Sequence, residues 1–154
     1  RLQPLQAVVA SSMLRTLDDR LARRREIQRQ LDTAFCEFRP KVVVPRREPC
    51  NPETVSLYMV LVERRDEFIG YLADNDVEAK VHYPIPLHLQ RAAARLKLSP
   101  GSMPIAEAQA HSLVTLPAHE YLSNSQISWM IDVVREWVYA YHPKSTPIPD
   151  QKRE

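Results

Sequence analysis

The chain has 154 residues, 44% of them hydrophobic, with 21 Lys and Arg against 19 Asp and Glu. That length fits one domain able to bury about 70% of its extended surface. A formal charge of +2 argues against nucleic acid as the main partner, which needs a concentrated basic face, and no apolar run nears the roughly 18 residues of a membrane span.

Pro4 suits a first helical turn, where its missing N–H would be unpaired anyway. Apolar residues follow at Leu5, Val9, Met13, Leu17 and Leu21 and, after a phase shift, at Ile27, Leu31 and Phe35. Steps of four residues overshoot a turn by about 40°, so the stripe winds round one long helix. A helix of that kind packs on more than one body, either two domains or two subunits. The basic run Arg23, Arg24 and Arg25 reads as a solvated helix face. The chain opens at Arg1, without methionine and almost directly in this helix, as expected of a fragment.

Prolines 40, 45, 49 and 52 break the next stretch around a short extended piece at 42–44. Residues 55–62 are β-branched and aromatic and predict a buried strand. A helix over 64–74 places Phe68, Tyr71 and Leu72 on one face, with Asn75 as its left-handed stop. Residues 77–81 read as a second strand. The loop VHYPIPLHLQ follows at 81–90, stiffened by Pro84 and Pro86, which fix their own φ and push their predecessors towards extended backbone. A short helix is expected over 89–96, and another over 103–112 capped by Ser102. A strand at 113–116 ends at Pro117. Ser123 and Gln126 form a capping box ahead of a helix showing Ile127, Ile131, Val134, Val138 and Tyr141 on one face. From His142 the chain is polar and proline-rich, and 143–154 reads as a disordered tail. The sum is an α/β (α+β) sandwich: a long N-terminal helix, then a small sheet of about three strands packed by helices, in one domain over 1–142.

Two glycines are too few for a Walker A loop or a G-x-G-x-x-G turn. Cys36 and Cys50 are too few for a disulfide scaffold. They make no Cys-x-x-Cys pair, and the histidines lack zinc-site spacing, so no metal site is expected. No signal-peptide pattern is present, and a reduced, cytoplasmic location is expected. His82, Tyr83 and His88 are the clustered imidazole and phenol groups. A rigid loop lowers the entropy lost when such groups engage a ligand. Chemistry alone favours a proline-ordered connection whose rings simply pack. His111, His119 and His142 read as isolated.

HYPIPLHLQ resembles a signature of the C-terminal region of the DegT-type sugar aminotransferases, pyridoxal-phosphate enzymes of the aspartate aminotransferase fold (fold type I). RLQPLQAVVASSML resembles the start of that family's interdomain helix. RRDEFIGYLADNDVEAKVHYP resembles its helix–strand unit, and MPIAEAQAHSLVTLPAHEYLSNSQI its closing helix, Leu-Pro corner and last helix. The match runs to about residue 141. The resemblance implies the small, C-terminal domain of a protein more than twice this length, whose absent N-terminal domain carries pyridoxal phosphate and the Schiff-base lysine. It implies a homodimer with active sites at the subunit interface, a nucleotide-linked keto sugar as substrate and glutamate as amino donor.

By the same resemblance His82, Tyr83 and His88 contact sugar or diphosphate, and Arg1 lies near the cofactor phosphate of the neighbouring subunit. Glu107 matches the glutamate of the family's Pro-x-Ala-Glu helix and is expected to be a structural hydrogen-bond acceptor rather than a catalytic group. Lys41, Lys80, Lys97, Lys144 and Lys152 all fall away from the anchor position, so no catalytic residue is expected here and the chain alone is expected to be inactive. Lys80 reads as a solvated strand residue or a phosphate contact. Two alternatives stay open: a sugar dehydratase of the same family, with histidine at the anchor position, and a stand-alone sugar-nucleotide-binding or dimerisation module without catalysis.

Overall fold

A computed structural model describes residues 3–48 and 54–140. Among the described residues five helices and three strands follow one another: α1 (Pro4–Leu14), α2 (Leu17–Phe35), β1 (Val42–Val43), β2 (Tyr58–Val62), α3 (Arg65–Asp74), α4 (Pro104–Ser112), β3 (Leu113–Leu116) and α5 (Asn124–Ala140). Short 3₁₀ turns lie at Cys36–Phe38, Leu87–Leu89 and Arg91–Leu96. The sheet is antiparallel with order β1-β2-β3, so β2 is central. The small-sheet architecture therefore agrees with the order read from the sequence. Among the described residues no helix is long and apolar enough to cross a membrane.

Strand alternation assigns the two faces. Tyr58, Val60 and Val62 of β2, Val42 of β1, and Val114 and Leu116 of β3 all point into one core. Ile27, Leu31 and Phe35 of α2 close that core, with Phe68 and Leu72 of α3 and six residues of α5 from Ile127 to Val138. The Phe68 ring meets Trp137 edge-on at 4.8 Å between centroids. Tyr58 is fully buried, and its hydroxyl donates to Asp32 Oδ1 at 2.9 Å. Arg47 pairs with the same carboxylate and lies over the Tyr58 ring. Burial, with Asp32 adding to it, pushes the Tyr58 phenol far above its ordinary range, so it stays a protonated donor.

Several sequence expectations change. The single long helix is two. The Thr16 hydroxyl and amide both take the Met13 carbonyl, a local bond that competes with the helical ladder, and Asp18 and Asp19 favour a new N-terminus just beyond it. Of the three arginines expected on a solvated face, Arg25 is exposed, whereas Arg23 and Arg24 are tied down. Arg23 donates to the Leu122 carbonyl at 2.7 Å and to Asn124 Oδ1 at 2.9 Å, and Arg24 to Glu120 Oε2 at 2.7 Å. They sit where α2 passes the corner that leads into α5.

The expected strand at 77–81 is a single bridge, Lys80 to Thr115. The Val77 amide closes back on the Leu72 carbonyl, and the proline loop leaves the sheet soon after. Asp76, with φ of 58°, takes the left-handed position expected of Asn75. Extended backbone at Gln90 divides the helix expected over 89–96 into two 3₁₀ turns. The Ser123–Gln126 capping box is present in both directions. On α5 Ile127, Val134 and Val138 are buried as expected, Ile131 is half-buried, and Met130, Val133 and Trp137 join the buried face. Tyr141, Arg1, Cys50, His142 and the expected tail at 143–154 lie outside the described residues.

Phe68 has no exposure and an aromatic partner. Phe68→Ala is expected to lower unfolding free energy by about 3–5 kcal/mol through lost transfer energy and a residual cavity, measured by urea denaturation with an unchanged m-value.

Candidate functional site

The other face of the sheet carries Met59 and Leu61 of β2 and Leu113 and Thr115 of β3, alternating with the core residues. This face is covered by α4 and by the loop at 81–90. Between them lies an apolar groove of 580 Å³. Met59, Leu61 and Leu113 form its floor, and Tyr83, Pro86 and Met103 stand in its walls.

Two imidazoles fasten the loop. His82 Nδ1 lies 3.1 Å from Thr115 Oγ1 on β3, and His88 Nε2 lies 3.0 Å from Glu107 Oε1 on α4. His88 is 9% exposed, whereas Tyr83 is 68% exposed. Ile85 and Leu87 also face out. The His82–Tyr83 peptide is cis, and the two rings meet edge-on at 5.6 Å. The structure thus brings His82 and Tyr83 side by side and sets His88 under the far end of the loop. His111 and His119 are exposed, the former bonded to the Glu107 carbonyl.

Glu107 is a hub. Its carboxylate accepts from the Gly101 amide at 2.9 Å to each oxygen, from the Met103 amide at 3.1 Å, and from His88. It occupies the N-terminal turn of α4 and satisfies the end expected of Ser102, whose hydroxyl instead accepts from the Ser99 amide. The turn Ser99–Ser102 closes through the Ser102 amide on the Ser99 carbonyl. Pro100 suits its second position, and Gly101, with φ of 89°, takes the positive-φ third position that favours glycine. These bonds hold the Glu107 carboxyl below its ordinary range, the Gly101 amide contributing most and the Met103 amide next, against the opposing effect of burial. An ionised carboxylate only accepts, so His88 Nε2 carries the proton. Thr115 was not singled out in the sequence, although a hydroxyl within the apolar strand LVTL marked it.

Residues 1–135 match the DegT/DnrJ/EryC1/StrS aminotransferase family. The chain belongs to this family. It is 35% identical over 135 residues to the erythromycin biosynthesis sensory transduction protein EryC1 of Saccharopolyspora erythraea, covering 88% of this chain and 37% of that protein. It is 33% identical over 137 residues to the dTDP-3-amino-3,4,6-trideoxy-alpha-D-glucose transaminase of Streptomyces venezuelae, covering 89% of this chain and 36% of that enzyme. The solved structure of S. venezuelae DesV in complex with a ketimine intermediate superposes with a TM-score of 0.85 at 33% identity, over 90% of this chain and 37% of that one. The chain therefore spans little more than a third of the length of the relatives it matches.

The family implies pyridoxal phosphate, and the described residues do not make a site for it. The Lys41 ammonium is bound to the Val138 carbonyl, Lys80 pairs with Glu78 at 2.8 Å, and Lys97 is exposed. None of them lines the groove. Among the described residues, no three His, Cys, Asp or Glu side chains group as metal ligands.

The depressed Glu107 pKa fixes the sign of a pH effect. A carboxylate with a lower pKa folded than unfolded adds stability that is present above its unfolded value and is lost as pH falls through its folded value. Glu107→Gln is therefore expected to be less stable than wild type at neutral pH, with the gap narrowing as pH falls below the ordinary glutamate range. Thermal melts across an acid series measure this; a gap independent of pH would refute it.

Proposed function

We propose that this chain is the C-terminal small domain, over 1–142, of a pyridoxal-phosphate-dependent aminotransferase. The enzyme transfers an amino group from glutamate to a nucleotide-linked keto sugar. In this reading the cofactor and its anchor lysine reside in the part of the protein outside this chain. The enzyme works in the cytoplasm as a homodimer, with α1 bridging to the large domain. Two facts support the reading: the coverage of about a third of longer relatives, and the similarity to the S. venezuelae sugar transaminase.

The loop at 82–88 forms a substrate wall. The observation that carries this is the exposed Tyr83 phenol, held beside an apolar groove on a loop anchored at both ends. A phenol offers one donor and two lone pairs to a sugar hydroxyl or a diphosphate oxygen. His82 keeps one ring nitrogen free of the Thr115 bond and stands next to Tyr83. His88 supports the loop from beneath. Apolar walls suit the carbon skeleton of a deoxy sugar, and a pre-ordered loop spends little entropy on binding.

The test uses the intact protein with pyridoxal phosphate, glutamate and a nucleotide-linked keto sugar. The amine product is followed by mass spectrometry, and each half-reaction by cofactor absorbance. Tyr83→Phe is expected to raise KM for the nucleotide sugar about tenfold, equivalent to about 1.4 kcal/mol, and to leave the glutamate half-reaction within about twofold. Absence of amine product from every nucleotide-linked keto sugar tried would refute the activity. An unchanged KM in Tyr83→Phe would refute the role of the loop.

A further inference from the structure

Glu107 touches no group that the proposed reaction would transform, yet it joins three separate segments. It binds the turn at 99–102 through Gly101, the start of α4 through Met103, and the proline loop through His88. α4 packs on the outer face of the central strand, against Met59 and Leu61. The carboxylate therefore ties the loop to a helix packed on the central strand.

The loop has two attachments of different kinds. At one end His82 meets a neutral hydroxyl, Thr115. At the other, His88 meets a carboxylate, and a hydrogen bond to an ionised acceptor is roughly twice as strong as a neutral one. Without Glu107, His88 would be an almost enclosed imidazole lacking its partner, which is costly enough to drive a group towards water. The turn Leu87–Leu89 would then swing out, and Tyr83 would be held from the Thr115 end alone. Misplacement of a binding group by about 1 Å is enough to cost up to about a hundredfold in rate.

We infer that Glu107 is a positioning residue for nucleotide-sugar binding: through His88 it fixes the loop that presents Tyr83. This rests on the reading of the loop as a substrate wall. It makes Glu107, which does not line the groove, a residue that acts through His88 and the loop it holds.

A double-mutant cycle in the intact enzyme tests the inference, with Glu107→Ala, Tyr83→Phe and the pair. Glu107→Ala is expected to raise KM for the nucleotide sugar about tenfold and to leave the glutamate half-reaction within about twofold. In the Tyr83→Phe background it is expected to add less than about twofold, because coupled residues are not additive. Glu107→Gln, which keeps an oxygen for the backbone amides, is expected to recover most of the KM. If Glu107→Ala does not fold, Glu107→Gln and His88→Phe carry the same cycle, with smaller and full effects respectively. Additive effects of Glu107→Ala and Tyr83→Phe, an unchanged KM in Glu107→Ala, or equal losses in both half-reactions would overturn the positioning role and leave the substrate-wall reading standing. An unchanged KM in Tyr83→Phe would remove both.

Discussion

The structure hangs on β2. It is the central strand, hydrogen-bonded to β1 on one side and β3 on the other, and both of its faces are covered. Period-two alternation sends Tyr58, Val60 and Val62 into the helical core and Met59 and Leu61 towards the groove. A slip of one residue would exchange the two sets. The buried Tyr58 hydroxyl would then lose Asp32, and the groove would lose its floor. Register in this strand thus fixes the core and the candidate site together.

Charged groups do different work on the two faces. On the core side Arg23 and Arg24 of α2 bind the corner before α5, and Asp32 joins Arg47 to Tyr58. These contacts close the edges of an apolar core. On the groove side a single carboxylate, Glu107, gathers two amides and an imidazole. The first set resists separation of helices. The second orders a loop that has few apolar contacts of its own.

α1 stands apart from both faces. None of its residues is buried, and Leu5, Val8, Val9, Met13 and Leu14 all face outward. Apolar residues on every side of a helix are those of a buried helix, and an exposed apolar surface of this extent marks a contact with another body.

Much of the fold was legible in local chemistry. The apolar 3.6-residue period gave α2, α3 and α5, Ser123 and Gln126 marked the start of α5, and the β-branched runs gave β2 and β3. Pro84 and Pro86 showed that the loop was stiff, and its rings showed that it was worth attention. The family was legible too, because ordered motifs along the chain carry it. What the sequence left open was how the loop is used. Imidazoles with two ring nitrogens can bind substrate or bind protein, and only tertiary structure set Thr115 beside His82 and Glu107 beside His88, from 33 and 19 residues away. The same holds for Arg23 and Arg24 of α2, which look solvated until the chain about a hundred residues later folds against them. Backbone preference and periodicity are local and can be read residue by residue. The partner of a side chain is a long-range fact, decided when the sheet register brings distant segments to one face.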